Sequence, residues 1–264
     1  ASPGELTYHN NVQEVFIEVL DGKEKVLLLA AAPHPDIAAI KQAIESNENY
    51  ELEVAYAADF SGSTTGYNLV ILHQLPNVTI PFTKLNQLIT AEQVPLFFIL
   101  GNQSNLPAFS ALNMGLSLIE SRGNPNEVEA LPAENFSLFT LSDKTRSFIS
   151  QLPPLLAPYG NYKTSNSSTV LLKQKIGTVS SDFPLLLFND IASRKIGILT
   201  GEGIWRWRLA DFEQHHSHEI FQELIHKTVQ YLSVKVDKSL FRVFTKHHLY
   251  ENEQLEFDAE VYNE

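Results

Sequence analysis

A continuous apolar run, KVLLLAAA (residues 25–32), constrains the fold more than any other stretch of the chain. Uninterrupted runs of this kind are typical of strands buried on both faces, as in parallel sheets that helices cover on each side. The run passes into the tight loop PHPD and then into IAAIKQAIE, whose apolar residues recur at helical spacing. We therefore predict a strand, a tight loop and a helix, with Asp36 as the helix N-cap.

The same alternation continues along the chain. Strands are predicted at YELEVAYA, NLVILHQL and VPLFFILG, and helices at PFTKLNQLITAEQ and NLPAFSALNMGL. Strands separated by helices are joined by right-handed crossovers, which produce a mainly parallel sheet with helices on both faces. The predicted class is α/β, doubly wound.

The pattern changes in the second half. SRGNPNEVEALP is interpreted as a break rich in Gly, Pro and Asn, and SDKTRSFISQL as a small helix. From Ser168, STVLLKQKIG, FPLLLFND and RKIGILTG predict antiparallel strands added to one side of the sheet. The stretch that starts at GIWRW is predicted to be helical from Phe212 on, and period two returns after Val234.

Composition excludes several function classes. Among the 264 residues, 19 Lys and Arg face 31 Asp and Glu, and the resulting formal charge of -12 repels nucleic acids and anionic membranes. The chain contains no cysteine, which excludes disulfides, thiolate metal sites and thiol nucleophiles. Its longest apolar run is shorter than the roughly 20 residues that span a bilayer. Neither Gly-rich phosphate-binding motif occurs, so no cofactor is predicted.

A ligand cleft is predicted where the strands end, because ligands of open α/β sheets bind beyond the carboxyl ends of the strands. The polar residues that follow the first, third and fourth predicted strands are the candidates. They are His34, Asp36, His73, Asn102, Gln103 and Ser104.

The PHPD loop resembles the start of N-acetylglucosaminyl deacetylases of the PIG-L type, in which His-Pro-Asp-Asp-Glu follows the first strand. His34 and Asp36 match, but Ile37 replaces the metal-ligand Asp and Ala38 replaces the acid that follows. Zinc needs about three protein ligands, and an isoleucine supplies no electron pair. The resemblance therefore leaves a metal-dependent hydrolase using His34 and Asp36 as an alternative function, and no metal is predicted.

The turn after VPLFFILG invites comparison with nucleophile elbows. Aligning Gly-x-Ser-x-Gly on Gly101 places Gln103 at the nucleophile and Asn105 at the second glycine. Ser104 carries the one hydroxyl nearby, and neither of the residues two positions away from it is a glycine. The turn is interpreted as the end of a strand and the start of a helix at Ser104 or Asn105, and no catalytic residue is predicted.

Histidines cluster in EQHHSHEIFQELIH. Helical spacing would bring His215 near His218 and Glu219, which makes His215 and His218, with His34, weak candidate metal ligands. The His-Glu-x-x-His order of zinc proteases is broken at Gln222, so a solvated polar helix face is the favoured interpretation. The pair His247 and His248 would point to opposite faces of a strand.

The string TGEGIWRWRL, taken with KVLLLAAAPHPDIAAIKQAI and YNLVILHQLP, resembles the glutamine amidotransferase-like domain of large membrane-anchored bacterial envelope proteins of the Bacteroidetes type. The motif residues are Trp205, Arg206, Trp207 and Arg208. If that segment were extended, the two tryptophans would share one face and the two arginines the other. True amidotransferases use a Cys-His-Glu triad, so the resemblance implies a flavodoxin-like fold and, without a cysteine, no glutaminase activity.

The resemblance also implies a domain organisation. Residues 1–24 look like the last strands of an immunoglobulin-like domain, 25–233 like the amidotransferase-like domain, and 234–264 like a linker with the first strands of a following β domain. The implied function is a non-catalytic interaction or ligand-sensing module on the periplasmic side of the cell envelope. Its implied partners are other domains of the parent chain or envelope proteins, and membrane attachment would need segments outside this sequence. Unpaired terminal strands leave edge-to-edge homodimerisation open.

Overall fold

The structure is a computed structural model and describes residues 22–78, 82–90, 93–120, 123–234, 241–245 and 257–261. Its strands are β1 (Glu24–Ala30), β2 (Tyr50–Tyr56), β3 (Leu69–His73), β4 (Leu96–Ile99), β5 (Leu116–Glu120), β6 (Asn126–Pro132), β7 (Leu155–Ala157), β8 (Gly160–Thr164), β9 (Thr169–Ile176), β10 (Val179–Ile191), β11 (Arg194–Leu199), β12 (Phe241–Thr245) and β13 (Phe257–Val261). Its helices are α1 (Pro35–Glu45), α2 (Phe82–Thr90), α3 (Leu106–Ala111), α4 (Asp143–Phe148), α5 (Trp205–His215) and α6 (Glu219–Ser233), with a short 3-10 helix at Ile149–Gln151.

The main sheet is mixed. In the described part of the chain it has nine strands in the order β2-β1-β3-β4-β11-β10-β9-β6-β7. The first five strands in this order run parallel to one another. From β11 onward each neighbouring pair is antiparallel, which confirms the predicted antiparallel pairing of β9, β10 and β11. The strand β11, which was predicted among the added strands, itself runs parallel to β4 and belongs to the parallel half.

Helices cover both faces of the parallel half. Alternate residues of β1 enter opposite cores, with Val26 and Leu28 in one and Leu27 and Leu29 in the other, as the two-residue period of a strand requires. The first core is completed by apolar residues of α1, α5 and α6, and the second by those of α2 and α3. The α/β class predicted from the sequence is therefore confirmed.

Two predictions about the second half are wrong. The stretch interpreted as a break contains β6, which pairs with both β9 and β7 because its alternate residues Val128 and Ala130 are buried in the sheet. The predicted late helix is two helices, and the first begins at Trp205 rather than near Phe212. A left-handed His216 (φ 53°) ends α5 and reverses the chain before α6.

The C-terminal strands β12 and β13 pair antiparallel in a separate two-stranded sheet. The predicted strand EVFIEVL and the pair His247 and His248 lie outside the described residues. Among the described residues, no helix combines the length and apolarity needed to cross a membrane. The proposed boundaries of the flanking domains stay predictions.

Candidate functional site

The candidate site lies at the carboxyl edge of the parallel strands. β2 lies on one side of β1, whereas β3 and then β4 lie on the other side. The direction in which the chain adds strands to the sheet therefore reverses between β1 and β3. A crevice forms at such a reversal, and ligands of open α/β sheets bind there. His34 follows β1 and His73 is the last residue of β3, so both residues lie at this reversal of strand order.

Asp36 is the most buried acid of this edge, with 0% of its surface exposed. Its Oδ2 accepts a hydrogen bond from the Gly203 N–H at 2.8 Å, and its Oδ1 accepts one from the Trp205 N–H at 3.0 Å. Burial alone raises the pKa of this carboxyl, but hydrogen bonds from the His73 ring and the two N–H groups outweigh burial and hold the pKa below its ordinary value of 3.8. Asp36 is therefore a buried carboxylate that ties α1 to the loop after β11.

The N-cap of α1 is His34, which corrects the prediction of Asp36. The His34 Nδ1 accepts a hydrogen bond from the Asp36 N–H at 3.2 Å, while the Asp36 carboxylate points toward the loop after β11. An accepting Nδ1 places the proton of the neutral ring on Nε2. Burial lowers the pKa of His34 below 6.5 by more than the nearby Asp36 charge raises it, which favours the neutral ring.

The two histidines meet over Asp36. Their ring centroids are 4.9 Å apart, and the Asp36 Oδ2 lies 3.4 Å from His34 Nδ1 and 3.5 Å from His73 Nε2. The His34 side chain keeps 22% of its surface exposed, whereas that of His73 keeps 1%. His34 is thus the member of the group that a ligand can reach.

Gln74 and Glu202 are buried polar residues of this edge that the sequence analysis missed. The Glu202 Oε2 accepts hydrogen bonds from the Gln74 side-chain amide and from the Asn102 N–H, the latter at 3.1 Å. The Gln103 N–H donates to Gln74 Oε1 at 3.0 Å. One signal for these residues was present in the sequence. Gln74 directly follows β3, and Glu202 comes shortly after β11. Both strands end at the edge where His34 and Asp36 lie.

The turn after β4 is held closed by these partners. The Gly101 N–H donates to Ser104 Oγ at 3.0 Å, and the Asn105 side chain caps α3 by accepting from the Ala108 N–H. A Cβ on Gly101 would lie 2.1 Å from Glu202 Oε2, so only glycine leaves room for that carboxylate. The interpretation of this turn as a strand end followed by a helix start at Asn105 is confirmed.

The motif residues Trp205, Arg206, Trp207 and Arg208 form the first turn of α5 rather than an extended segment, so the predicted separation of tryptophans and arginines onto two faces is wrong. Trp207 is 2% exposed, and its Nε1 donates to the Pro153 carbonyl at 2.7 Å. Trp205 contributes its N–H to Asp36. Trp207 therefore anchors α5 in the core, and the Trp205 N–H helps to hold the Asp36 carboxylate in place.

The late histidines do not join the crevice group. His215 ends α5, where its Nδ1 is 3.0 Å from Asp211 Oδ1, and Glu219 begins α6, so the assumed spacing along one helix is wrong. The Nδ1 of His218 lies 3.2 Å from the Arg208 carbonyl. Within the described ranges, the one group of three or more His or acidic side chains with converging ligand atoms is His34, Asp36 and His73.

The fold and this edge define an α/β domain whose buried polar residues cluster at a strand-order reversal. No protein-family model matches the chain, and no curated protein matches it significantly. Solved structures do match. "Cytoplasmic Protein STM1381 from Salmonella typhimurium LT2" is 13% identical, with a TM-score of 0.50 over 77% of this chain and 98% of its own.

Two further structures are similar to the chain. A protein described as ThuA-like, from Bacteroides uniformis, is 14% identical over 86% of this chain and 98% of its own, with a TM-score of 0.45. One described as a GMP synthase subunit, from Thermoplasma acidophilum, is 10% identical over 79% of this chain and 98% of its own, with a TM-score of 0.42. Structural neighbours thus include amidotransferase-like proteins at low identity, and likeness at this level concerns the fold alone.

Proposed function

We propose that the chain is a non-catalytic amidotransferase-like module that binds a partner or a small ligand at the carboxyl edge of its sheet. The observation that carries the proposal is the turn from Gly101 to Asn105. Each of its five backbone N–H groups donates to an acceptor within the chain. The Gly101, Asn102 and Gln103 N–H groups donate to Ser104 Oγ, Glu202 Oε2 and Gln74 Oε1, respectively. The Ser104 and Asn105 N–H groups donate to the Gly101 and Pro76 carbonyls.

Acyl-transfer enzymes need the opposite arrangement. They keep backbone N–H groups free to stabilise the oxyanion of the tetrahedral intermediate, next to a nucleophile on a strand-to-helix turn. Here the Glu202 carboxylate occupies one such donor, and its negative charge would repel an oxyanion. The hydroxyl of Ser104 accepts a hydrogen bond within the turn. The turn therefore supports a scaffold role rather than amide hydrolysis.

The finer fold assignment belongs to the same proposal. The parallel strands follow the order β2-β1-β3-β4-β11. With β11 taken as the fifth strand, this is the 2-1-3-4-5 order of flavodoxin-like sheets, whose ligands bind at the reversal between the first and third strands. The order supports a flavodoxin-like domain extended by antiparallel strands, with His34 and His73 at its binding position.

We extend the proposal to a cell-envelope location, with flanking immunoglobulin-like domains and envelope partners. Its support is the resemblance carried by TGEGIWRWRL. Fractionation of cells that express the tagged parent protein tests it. Recovery in the envelope fraction is expected, and recovery in the cytosolic fraction would reject the location without affecting the proposed binding site.

Binding at the crevice is tested by affinity capture from envelope extracts with three matched baits. The wild-type chain is compared with His34→Ala, which removes the exposed member of the crevice, and with His216→Asn, which changes an exposed histidine beyond α5. A partner retained by the wild type and His216→Asn but lost by His34→Ala is expected. Identical profiles for all three folded baits would contradict a binding role for the crevice.

A metal-dependent hydrolase is the second candidate, favoured by the convergence of His34, Asp36 and His73 ligand atoms within 4.8 Å. Such an enzyme also needs a group that takes a proton from the metal-bound water. Glu202, the other acid whose charge acts on His34, already accepts from Gln74 and Asn102. The first proposal is therefore preferred, and hydrolysis of N-acetylglucosamine that depends on added Zn²⁺ would favour the second.

A further inference from the structure

We infer that His34 Nδ1, Asp36 Oδ2 and His73 Nε2 form a binding site for Zn²⁺ or a similar first-row divalent ion. This inference goes beyond the proposed function, because a bound metal ion serves a binding module as well as an enzyme. The sequence predicts no metal, because Ile37 replaces a ligand of the deacetylase pattern. Folding supplies the third ligand from a different place, the end of β3.

All three ligand atoms lie within 4.8 Å of one another, and two of their separations are close to those in a zinc site. Asp36 Oδ2 lies 3.4 Å from His34 Nδ1 and 3.5 Å from His73 Nε2. Zinc bonds of about 2.0–2.1 Å in tetrahedral geometry separate neighbouring ligand atoms by roughly 3.3–3.4 Å. Direct hydrogen bonds between nitrogen and oxygen are shorter, about 2.9–3.0 Å. The hydrogen bond between His73 Nε2 and Asp36 Oδ2 is therefore a long one, and the two separations are close to those between neighbouring ligand atoms of a zinc ion.

Hydrogen bonding alone leaves the cluster poorly satisfied. The His34 Nδ1 acts as an acceptor toward the Asp36 N–H, so its lone pair lies near a carboxylate oxygen without a proton between them. His73 is almost fully buried, and its Nδ1 has no hydrogen-bond partner. Burying an unpaired polar atom is unfavourable. A cation bound at the three ligand atoms would offset the first of these effects, with His34 exchanging its long 3.2 Å hydrogen bond for the metal. Coordination at Nε2 would place the remaining proton of the neutral His73 ring on Nδ1.

The surroundings orient the ligands. The Gly203 and Trp205 N–H groups fix the Asp36 carboxylate, as outer-shell donors do for metal-binding carboxylates. Asp36 and His73 are buried, while His34 keeps 22% of its side chain exposed, so solvent reaches the cluster from the His34 side. Two imidazoles and one carboxylate suit Zn²⁺ and exclude a preference for Mg²⁺ or Ca²⁺, which prefer oxygen ligands.

The test is calorimetric titration of ZnCl₂ into the chelator-stripped full chain, with Co²⁺ absorption spectroscopy as a second measurement. Wild type and His216→Asn should bind one equivalent, and Co²⁺ should give the intense visible bands of a four-coordinate site. His34→Gln and His73→Gln, checked for folding by circular dichroism, should weaken binding by more than about tenfold. If His73→Gln does not fold, His34→Gln and the Co²⁺ spectrum decide.

Absence of binding by the wild type would overturn the inference, as would equal affinity in the folded His34→Gln variant. A Co²⁺ spectrum typical of six oxygen ligands would also overturn it. None of these outcomes bears on the occupied N–H groups of the turn after β4. The metal inference and the proposed function therefore fail separately.

Discussion

Asp36 connects two parts of the sheet edge through one buried carboxylate. It belongs to the first turn of α1, and its two oxygens accept the N–H groups of Gly203 and Trp205, which precede and begin α5. A buried charge is tolerated only when it is hydrogen-bonded in this way. The stability of the edge should therefore depend strongly on this side chain.

Asp36→Asn is expected to lower the free energy of unfolding by about 2–3 kcal/mol. The substitution replaces one acceptor oxygen with an NH₂ group, which would face a backbone N–H donor in a site of 0% exposure. Urea unfolding at neutral pH measures the loss. Asp182→Asn, at a 96% exposed side chain paired with Lys173, is the matched control and should leave stability nearly unchanged. Equal effects of the two substitutions would contradict the role of Asp36.

The stability difference between wild type and Asp36→Asn should also depend on pH. The pKa of Asp36 is depressed in the folded state, so its contribution is complete above the ordinary value of 3.8 and is lost as the pH falls through the lower folded value. The difference should shrink as the pH falls below about 4, whereas between about pH 7 and about pH 5 it also includes His34, whose pKa the Asp36 charge raises. Urea titrations below about pH 5 test it, and a difference that grows as the pH falls below about 4 would reject the assignment.

For single residues, the sequence predicted where the site residues lie in the fold better than it predicted which residues they contact. His34, Asp36 and His73 could be placed at one edge because each lies at or just beyond the end of an apolar strand. The role of Glu202 could not be predicted, since its contact with Asn102 joins residues 100 positions apart. Only the strand order brings such residues together.

The first turn of α5 illustrates how an element depends on packing. Trp207 is 2% exposed and donates to the Pro153 carbonyl, whereas Leu209 in the same helix is 51% exposed. Trp207→Ala should lower the free energy of unfolding by about 3–5 kcal/mol. Leu209→Ala should change it by less than about 0.5 kcal/mol. Thermal and urea unfolding of both variants test the assignment, and similar losses would contradict it.

The turn after β4 is a second element whose geometry can be tested. Gly101→Ala places a methyl group where Glu202 Oε2 lies, and we expect a loss of about 1–3 kcal/mol. In a Glu202→Ala background the same substitution should cost at least about 1 kcal/mol less, because the obstructing carboxylate is gone. Gly22→Ala, with nothing within 4 Å of the added carbon, is the control. Additive losses in the double variant would show that the contact is not responsible.

The sequence patterns did not predict the start of α5 or the strand β6, and each failure has a physical reason. Exposed Leu209 and Phe212 lie among buried residues such as Trp207 in α5, so its apolar residues do not form one clean stripe. NEVEALP carries two glutamates and a proline, and it is a strand because β9 and β7 supply its hydrogen bonds on both sides. In both cases tertiary contacts outweigh local propensity.

At the scale of the whole molecule, the parallel half of the sheet was the most predictable feature, because continuous apolar strands and amphipathic helices leave few other arrangements. Polar residues that follow four strands converge at the carboxyl edge of this half. What distinguishes this chain is the use of those polar groups: Gln74 and Glu202 satisfy the turn that an acyl-transfer enzyme would leave open.

The most direct test of this account is a steady-state assay of the purified chain with L-glutamine and with N-acetylglucosamine, each with and without added Zn²⁺. We expect product formation equal to that of the buffer blank and of His34→Ala. The N–H groups of the turn after β4 are occupied, which disfavours acyl transfer, and Glu202 is already paired with Gln74 and Asn102, which disfavours its use as a base toward a metal-bound water. Turnover above the blank that His34→Ala abolishes and His216→Asn retains would contradict the account.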